Sequence, residues 1–231
     1  MSKIMEIYPS LMCADLLNLA KVISDLDEHC DGYHIDVMDD HFVPNLTMGP
    51  DFVNAIAKAT RKPIHVHLMV DHPKCWVDRL YLSEKDTFIF HYEAFECFKP
   101  MKDLVEKVKA KGWQVGMAFN PHTHIYDPHT NISLVASHLN LFDKILIMSV
   151  KPGFAGQVFM PEVIEKVKKV IAYRKTQNEN FKIYMDGGIG KDNIKMLCEL
   201  GIDAVVVGSS IFSEKNPVKA LKELYEIVKP T

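Results

Sequence analysis

Residues 34–45 read HIDVMDDHFVPN. The stretch opens like a buried strand, with Ile35, Val37 and Met38, yet His34, Asp36, Asp39, Asp40 and His41 place five ionisable groups in eight positions. Side chains alternate between the two faces of a strand. His34, Asp36 and Met38 therefore share one face, and Ile35 and Val37 share the other. A strand with an apolar back and an imidazole beside a carboxylate on its front needs a reason for that front.

Similar runs recur along the chain. Strands are predicted at Glu6–Pro9, Tyr33–Met38, Ile64–Met69, Thr87–His91, Gln114–Phe119, Lys144–Met148, Lys182–Met185 and Ala204–Val207. Helical apolar spacing lies between them, as in Leu16, Leu19, Ala20 and Ile23, in Val163, Val167, Val170 and Ile171, and in Leu221, Leu224, Ile227 and Val228. Strict strand–helix alternation is expected and points to a parallel sheet. Eight repeats in 231 residues match a compact α/β (β/α)₈ TIM barrel, with an open doubly wound sheet as the rival architecture. No linker or shift in composition divides the chain, so residues 1–231 are expected to form a single barrel domain. The segment from Pro121 to Phe142, with His122, His124 and His129, reads as a long loop before a short helix.

Composition narrows the function. The chain is 48% hydrophobic and 25% charged, with a net charge of −3 and a pI near 6.4. That balance argues against a nucleic-acid partner. No apolar run reaches the roughly 18 residues of a membrane span, and the start MSKIMEIYPS lacks a signal-peptide core. Cys13, Cys30, Cys75, Cys97 and Cys198 are scattered without a C-x-x-C pair, which fits reduced thiols in a cytoplasmic protein.

Barrel active sites lie at the C-terminal ends of the strands. His34, Asp36 and Met38 end one strand. His65, His67 and Met69 share a face of the next. Met148 and Asp186 end two later ones. A lone inward histidine is usually a hydrogen-bonded core residue, and a lone strand-end aspartate is usually a cap. Four such groups at one end of a barrel are a different matter. His34, Asp36, His67 and Asp186 make a plausible divalent metal set whose mixed N/O character suits Zn²⁺, with Fe²⁺, Mn²⁺ and Co²⁺ also open. Met38, Met69 and Met148, otherwise core filler, would form an apolar wall around it. Glycine-bearing turns follow three consecutive strands, at KPGFAGQ (151–157), DGGIG (186–190) and VGSS (207–210), where backbone N–H groups suit a phosphate.

These residues carry a family resemblance. SLMCADL (10–16), HIDVMD (34–39) with HFVPN (41–45), HLM (67–69), PGFAGQ (152–157), DGG (186–188) and GSSIF (208–212) resemble the ribulose-phosphate 3-epimerases over nearly the whole chain. The resemblance implies a (β/α)₈ barrel with one divalent metal ion per chain, held by His34, Asp36, His67 and Asp186. It implies that Asp36 and Asp186 also form the acid/base pair. It places Ser10 and His67 against a sugar-phosphate substrate, with Gly153, Phe154, Ala155, Gly156, Gly187, Gly188, Gly208 and Ser209 around the phosphate. It further suggests a homo-oligomer. Three features depart from the pattern: Asp40 stands where glycine is usual, His65 where aspartate is common, and the region 122–140 is longer.

The expected reaction exchanges D-ribulose 5-phosphate and D-xylulose 5-phosphate. One carboxylate removes the C3 proton and the other returns a proton to the opposite face, while the metal stabilises the enediolate. Three alternatives are an allulose 6-phosphate 3-epimerase, a sugar-phosphate lyase or decarboxylase using Lys151, and a non-catalytic sugar-phosphate binder.

Overall fold

The computed structural model describes residues 5–125 and 136–229. Eight parallel strands, β1 (Glu6–Pro9), β2 (Tyr33–Met38), β3 (Ile64–Met69), β4 (Thr87–His91), β5 (Gln114–Phe119), β6 (Lys144–Met148), β7 (Lys182–Asp186) and β8 (Ala204–Val207), pair in the order β1-β8-β7-β6-β5-β4-β3-β2. The seam between β1 and β2 is spanned by a parallel bridge of Ser10 with His34, and Asp31 Oδ2 accepts from Ile7 N at 2.8 Å. The barrel is thus nearly closed. Every predicted strand is present, with β7 one residue longer than expected.

Both faces of these strands are buried, as parallel strands require. On β2 and β3, Ile35, Val37, Val66 and Leu68 join the outer apolar layer between sheet and helices. Tyr8, Ile89, Ala118, Leu146, Tyr184, Ala204 and Val206 fill the barrel interior. Burying one such side chain contributes about 1.5–3 kcal/mol, so the two layers together dominate the fold.

The helices are α1 (Leu19–Leu26), α2 (Pro50–Ala59), α3 (Phe98–Ala110), α4 (Val163–Gln177), α5 (Ile194–Leu200), α6 (Ser209–Phe212) and α7 (Pro217–Val228). Alternation is not strict. The β3–β4 connection holds only the 3₁₀ turn Pro73–Trp76. The α1 stripe also differs from expectation: Leu19, Ile23 and Leu26 are buried, whereas Leu16 and Ala20 are exposed. The cause is Asp15, whose side chain accepts from Leu17 N and caps a separate 3₁₀ turn over Leu16–Asn18, so the α-helix begins later and in a different phase. Of the long segment Pro121–Phe142, the part with His129 lies outside the described residues, and Ala136–Leu141 forms a short 3₁₀ helix.

Two departures in sequence acquire a place. Asp40 has φ of 60°, the left-handed conformation for which glycine is the usual choice and which Asp tolerates better than most residues. His65 stacks on Tyr8 with ring centroids 3.9 Å apart, and its Nε2 lies 2.9 Å from Lys144 Nζ, which also donates to Thr87 Oγ1 at 2.6 Å. Burial, and next the charge of Lys182, push the Lys144 amine down to about 7. The bottom of the barrel is therefore polar, with Glu6 Oε2 accepting from Tyr184 Oη at 3.0 Å and Glu6 Oε1 from Lys182 Nζ at 2.7 Å.

Candidate metal and proton-transfer site

The polar front of β2 faces the mouth of the barrel. His34 and Asp36 come from β2, His67 from β3 and Asp186 from the end of β7. One ligand atom from each lies within 4.8 Å of the others. His34 Nε2 is 3.1 Å from His67 Nδ1, 3.4 Å from Asp36 Oδ1 and 3.5 Å from Asp186 Oδ2. His67 Nδ1 is 3.3 Å from Asp36 Oδ1 and 3.7 Å from Asp186 Oδ2. The second oxygen of Asp36 accepts from Ser10 Oγ at 2.6 Å.

Electrostatics separates these four groups. Burial pushes His67 down to about 3, which keeps it neutral. Burial opposes a charged His34, but the Asp36 and Asp186 carboxylates outweigh it and raise the group. Burial also acts against an ionised Asp36, yet His34 and His67 hold it well below the usual carboxylate range. Asp186 is pushed up to about 7 by burial and by the charge of Asp36, against the pull of His34. A neutral imidazole and two carboxylates turn lone pairs toward one centre, and His34 can add another. Such a donor set suits a divalent cation of mixed N/O preference.

Around this centre the strand ends form one cavity. Ser10, Asp36, Met38, Met69, Met148, Gly153, Phe154, Ala155, Gly156, Asp186, Gly187, Gly188, Gly208 and Ser209 all line it. His34 and His67 lie fully buried beneath it. The backbone explains the paired glycines: Gly187 and Gly188 have φ of 116° and 63°, and a Cβ on Gly188 would sit 2.4 Å from the Phe159 nitrogen. Lys151 is exposed and is not among the lining residues.

The loop HFVPN packs beside the cavity, with Val43 and Phe42 against Met38 and Met69. Asn45 Nδ2 donates to the Gly153 carbonyl at 2.7 Å, tying the loop after β2 to the loop after β6. Thr47 braces the strand end, donating from Oγ1 to the Asp36 carbonyl at 2.6 Å and accepting from Met38 N at 2.9 Å.

Sequence reasoning passed over several residues. Cys13 and Gln157 also line the cavity. Ser149 donates from Oγ to the Gly187 carbonyl at 2.6 Å and so fixes the turn after β7. His91, at the C-terminal end of β4, places Nε2 2.8 Å from His67 Nε2 and Nδ1 3.1 Å from Glu93 Oε2. The period-two rule that selects His34 and His67 also selects His91 from Thr87 and Ile89.

Comparison with known proteins places the chain in a family. A sequence model of the Ribulose-phosphate 3 epimerase family matches residues 6–212. The chain is 35% identical to the ribulose-phosphate 3-epimerase of Helicobacter pylori strain J99 over 226 residues, 98% of this chain and 99% of that one. It is 34% identical to the cytoplasmic isoform of rice (Oryza sativa subsp. japonica) over 96% of this chain and 94% of that one. It is 32% identical to the enzyme of that name from Bacillus subtilis strain 168 over 95% and 97%. Among solved structures, the fold is similar to orotidine 5'-monophosphate decarboxylase from Methanocaldococcus jannaschii, with a TM-score of 0.62, 17% identity and coverage of 98% and 100%. The corresponding decarboxylase from Pyrococcus horikoshii OT3 gives 0.63, 15%, 97% and 100%. At that identity the likeness shows a TIM barrel and nothing of the chemistry.

Proposed function

The chain belongs to the ribulose-phosphate 3-epimerase family, and from that premise we propose that it is an isomerase exchanging D-ribulose 5-phosphate and D-xylulose 5-phosphate. The observation that carries the reading is the convergence of two carboxylates and two imidazoles at the barrel mouth.

Epimerisation requires a proton to leave C3 on one face and a proton to arrive on the other. Asp36 and Asp186 rise from β2 and β7 and approach the centre from different strands. The two carboxylates sit in different surroundings, Asp36 against both imidazoles and the Ser10 hydroxyl, Asp186 against His34 and the charge of Asp36, the kind of difference that sets an acid and a base apart in one site. Either can act as base, according to the direction of reaction, and such general acid–base help is worth ~10²–10⁴-fold. A divalent ion on His34, His67, Asp36 and Asp186, in our reading Zn²⁺, would supply Lewis-acid stabilisation of the charge that develops beside the reacting carbon. Ser10 orients Asp36 through Oδ2 and stands at the cavity wall within reach of substrate. Met38, Met69 and Met148 keep the wall apolar and exclude water. Gly153 to Gly156, Gly187, Gly188, Gly208 and Ser209 offer backbone to the phosphate.

The named relatives carry the pentulose activity, which does not favour the allulose 6-phosphate alternative. The exposed Lys151 gives no support to a lysine-dependent lyase. Among the described residues no helix is long and apolar enough to cross a membrane, and the described cysteines are free. We read the protein as cytoplasmic and homo-oligomeric.

The test is turnover of both sugar phosphates, with exchange of the C3 proton into D₂O and metal analysis of the same sample. Pentulose epimerisation with about one divalent ion per chain is expected. Carbon–carbon cleavage, or full activity in a metal-free sample, would refute the reading.

A further inference from the structure

A neutral histidine carries its single N–H on one nitrogen and a lone pair on the other. To ligate a metal through Nδ1, His67 must carry its proton on Nε2. The surroundings of His67 decide which form it takes, and they can be followed outward one proton at a time.

Glu93 is the outer end. Its Oε1 accepts from the backbone N–H of Asn120 at 2.8 Å and from Thr123 Oγ1. Its Oε2 lies 3.1 Å from His91 Nδ1. An ionised carboxylate has no proton to give, so His91 Nδ1 must be the donor and carry the N–H. The remaining nitrogen of a neutral His91, Nε2, is then a lone pair. It lies 2.8 Å from His67 Nε2, which must in turn carry the proton. His67 Nδ1 is left as a lone pair, and this is the atom that faces His34, Asp36 and Asp186. Both rings are fully buried, and Phe42 packs on His91 with centroids 4.9 Å apart. His34 has no such arrangement, for its buried Nδ1 has no hydrogen-bond partner among the described residues.

We propose that Glu93 and His91 are positioning residues that fix the tautomer and orientation of His67 and thereby set the metal affinity of the site. The inference rests on the metal-site reading above. A purely structural core pair would explain the burial of His91 but not a hydrogen-bond chain whose direction ends on the ligand atom.

Glu93→Gln separates the two roles. The side chain keeps its size. If its oxygen stays on Asn120 N–H and Thr123, its NH₂ faces His91 Nδ1 and asks that nitrogen to accept. His91 then carries its proton on Nε2, and His67 is driven toward the tautomer with a proton on the ligand atom. His91→Leu removes the chain, whereas His91→Gln restores an acceptor for His67 Nε2–H.

The measurements are Zn²⁺ and Co²⁺ affinity by competition with a chromophoric chelator, the Co²⁺ absorption spectrum, and the melting temperature of each metal-free chain. Glu93→Gln and His91→Leu should bind metal ~10–100-fold more weakly, with an altered Co²⁺ spectrum, and His91→Gln should recover part of the loss. Wild-type affinity in Glu93→Gln, or losses that follow the metal-free melting temperature alone, would overturn the proposal. Should a variant fail to fold, long-range ¹H–¹⁵N spectra of the intact wild type decide the matter. His67 should be the Nε2–H form and His91 the Nδ1–H form, and the reverse assignment would overturn it. A wild-type chain that binds neither ion would instead count against the metal site itself.

Discussion

Ser10 Oγ donates to Asp36 Oδ2 at 2.6 Å, which leaves Asp36 Oδ1 turned toward His34 and His67. One carboxylate is thus shared between a hydroxyl on β1's end and the ligand centre. Ser10→Ala leaves Oδ2 without its donor in a buried place, at a cost of about 1–3 kcal/mol. The expected outcome is a fall in kcat of roughly 5–100-fold with metal content retained, measured by steady-state kinetics beside metal analysis. An unchanged kcat would show that this hydrogen bond does not position the base.

Asp36→Asn and Asp186→Asn keep the shape of each side chain and remove its ability to take a proton. Each should lower turnover by at least ~10²–10⁴-fold. Because either carboxylate serves both as ligand and as base, the variants should be assayed at saturating metal. Near-normal epimerisation by either one at full metal occupancy would end the two-carboxylate mechanism.

Lys144 gives a prediction about stability. Its folded value of about 7 lies below the ordinary lysine value of 10.5, with burial as the first cause and Lys182 as the second. Glu6, Asp143 and Asp86 pull the other way. His65 and Thr87 hold the amine, and the Tyr184 ring lies under it at 5.3 Å. Between pH 7 and 9 the unfolded chain keeps this proton while the folded chain releases it. Stability from this group therefore rises with pH, by up to about 1.4 kcal/mol per pH unit. Lys144→Met should lack that slope. Urea denaturation of both proteins at pH 7, 8 and 9 checks it, since groups common to both cancel in the difference. Parallel stability curves would rule the effect out.

The strands were legible because parallel strands buried on both faces show both a β-rich run and an alternation of residue type. His34, Asp36 and Met38 could be set on one face from spacing alone, and Ile35 and Val37 on the other. The α1 phase was not legible, because Leu16 and Leu19 look alike until Asp15 is seen to cap a separate turn. The thin β3–β4 connection was hidden for a similar reason: Pro73–Trp76 sits in a stretch whose apolar residues fit several phases. Lys144 escaped because a lysine in sequence reads as solvated, and only the barrel shows it buried against His65. His91 and Glu93 were within reach of the alternation rule, but a lone histidine at a strand end carries little weight before its partner is seen.

The hydrogen bond from Asn45 to Gly153 joins residues 108 apart in the chain. It makes a strap between the segment that leaves Asp36 and the loop assigned to the phosphate. A sugar phosphate gripped at its far end would draw on the same strap that braces the proton-transferring strand. Grip and chemistry would then be mechanically linked, so that a substrate trimmed of its phosphate would lose speed as well as affinity.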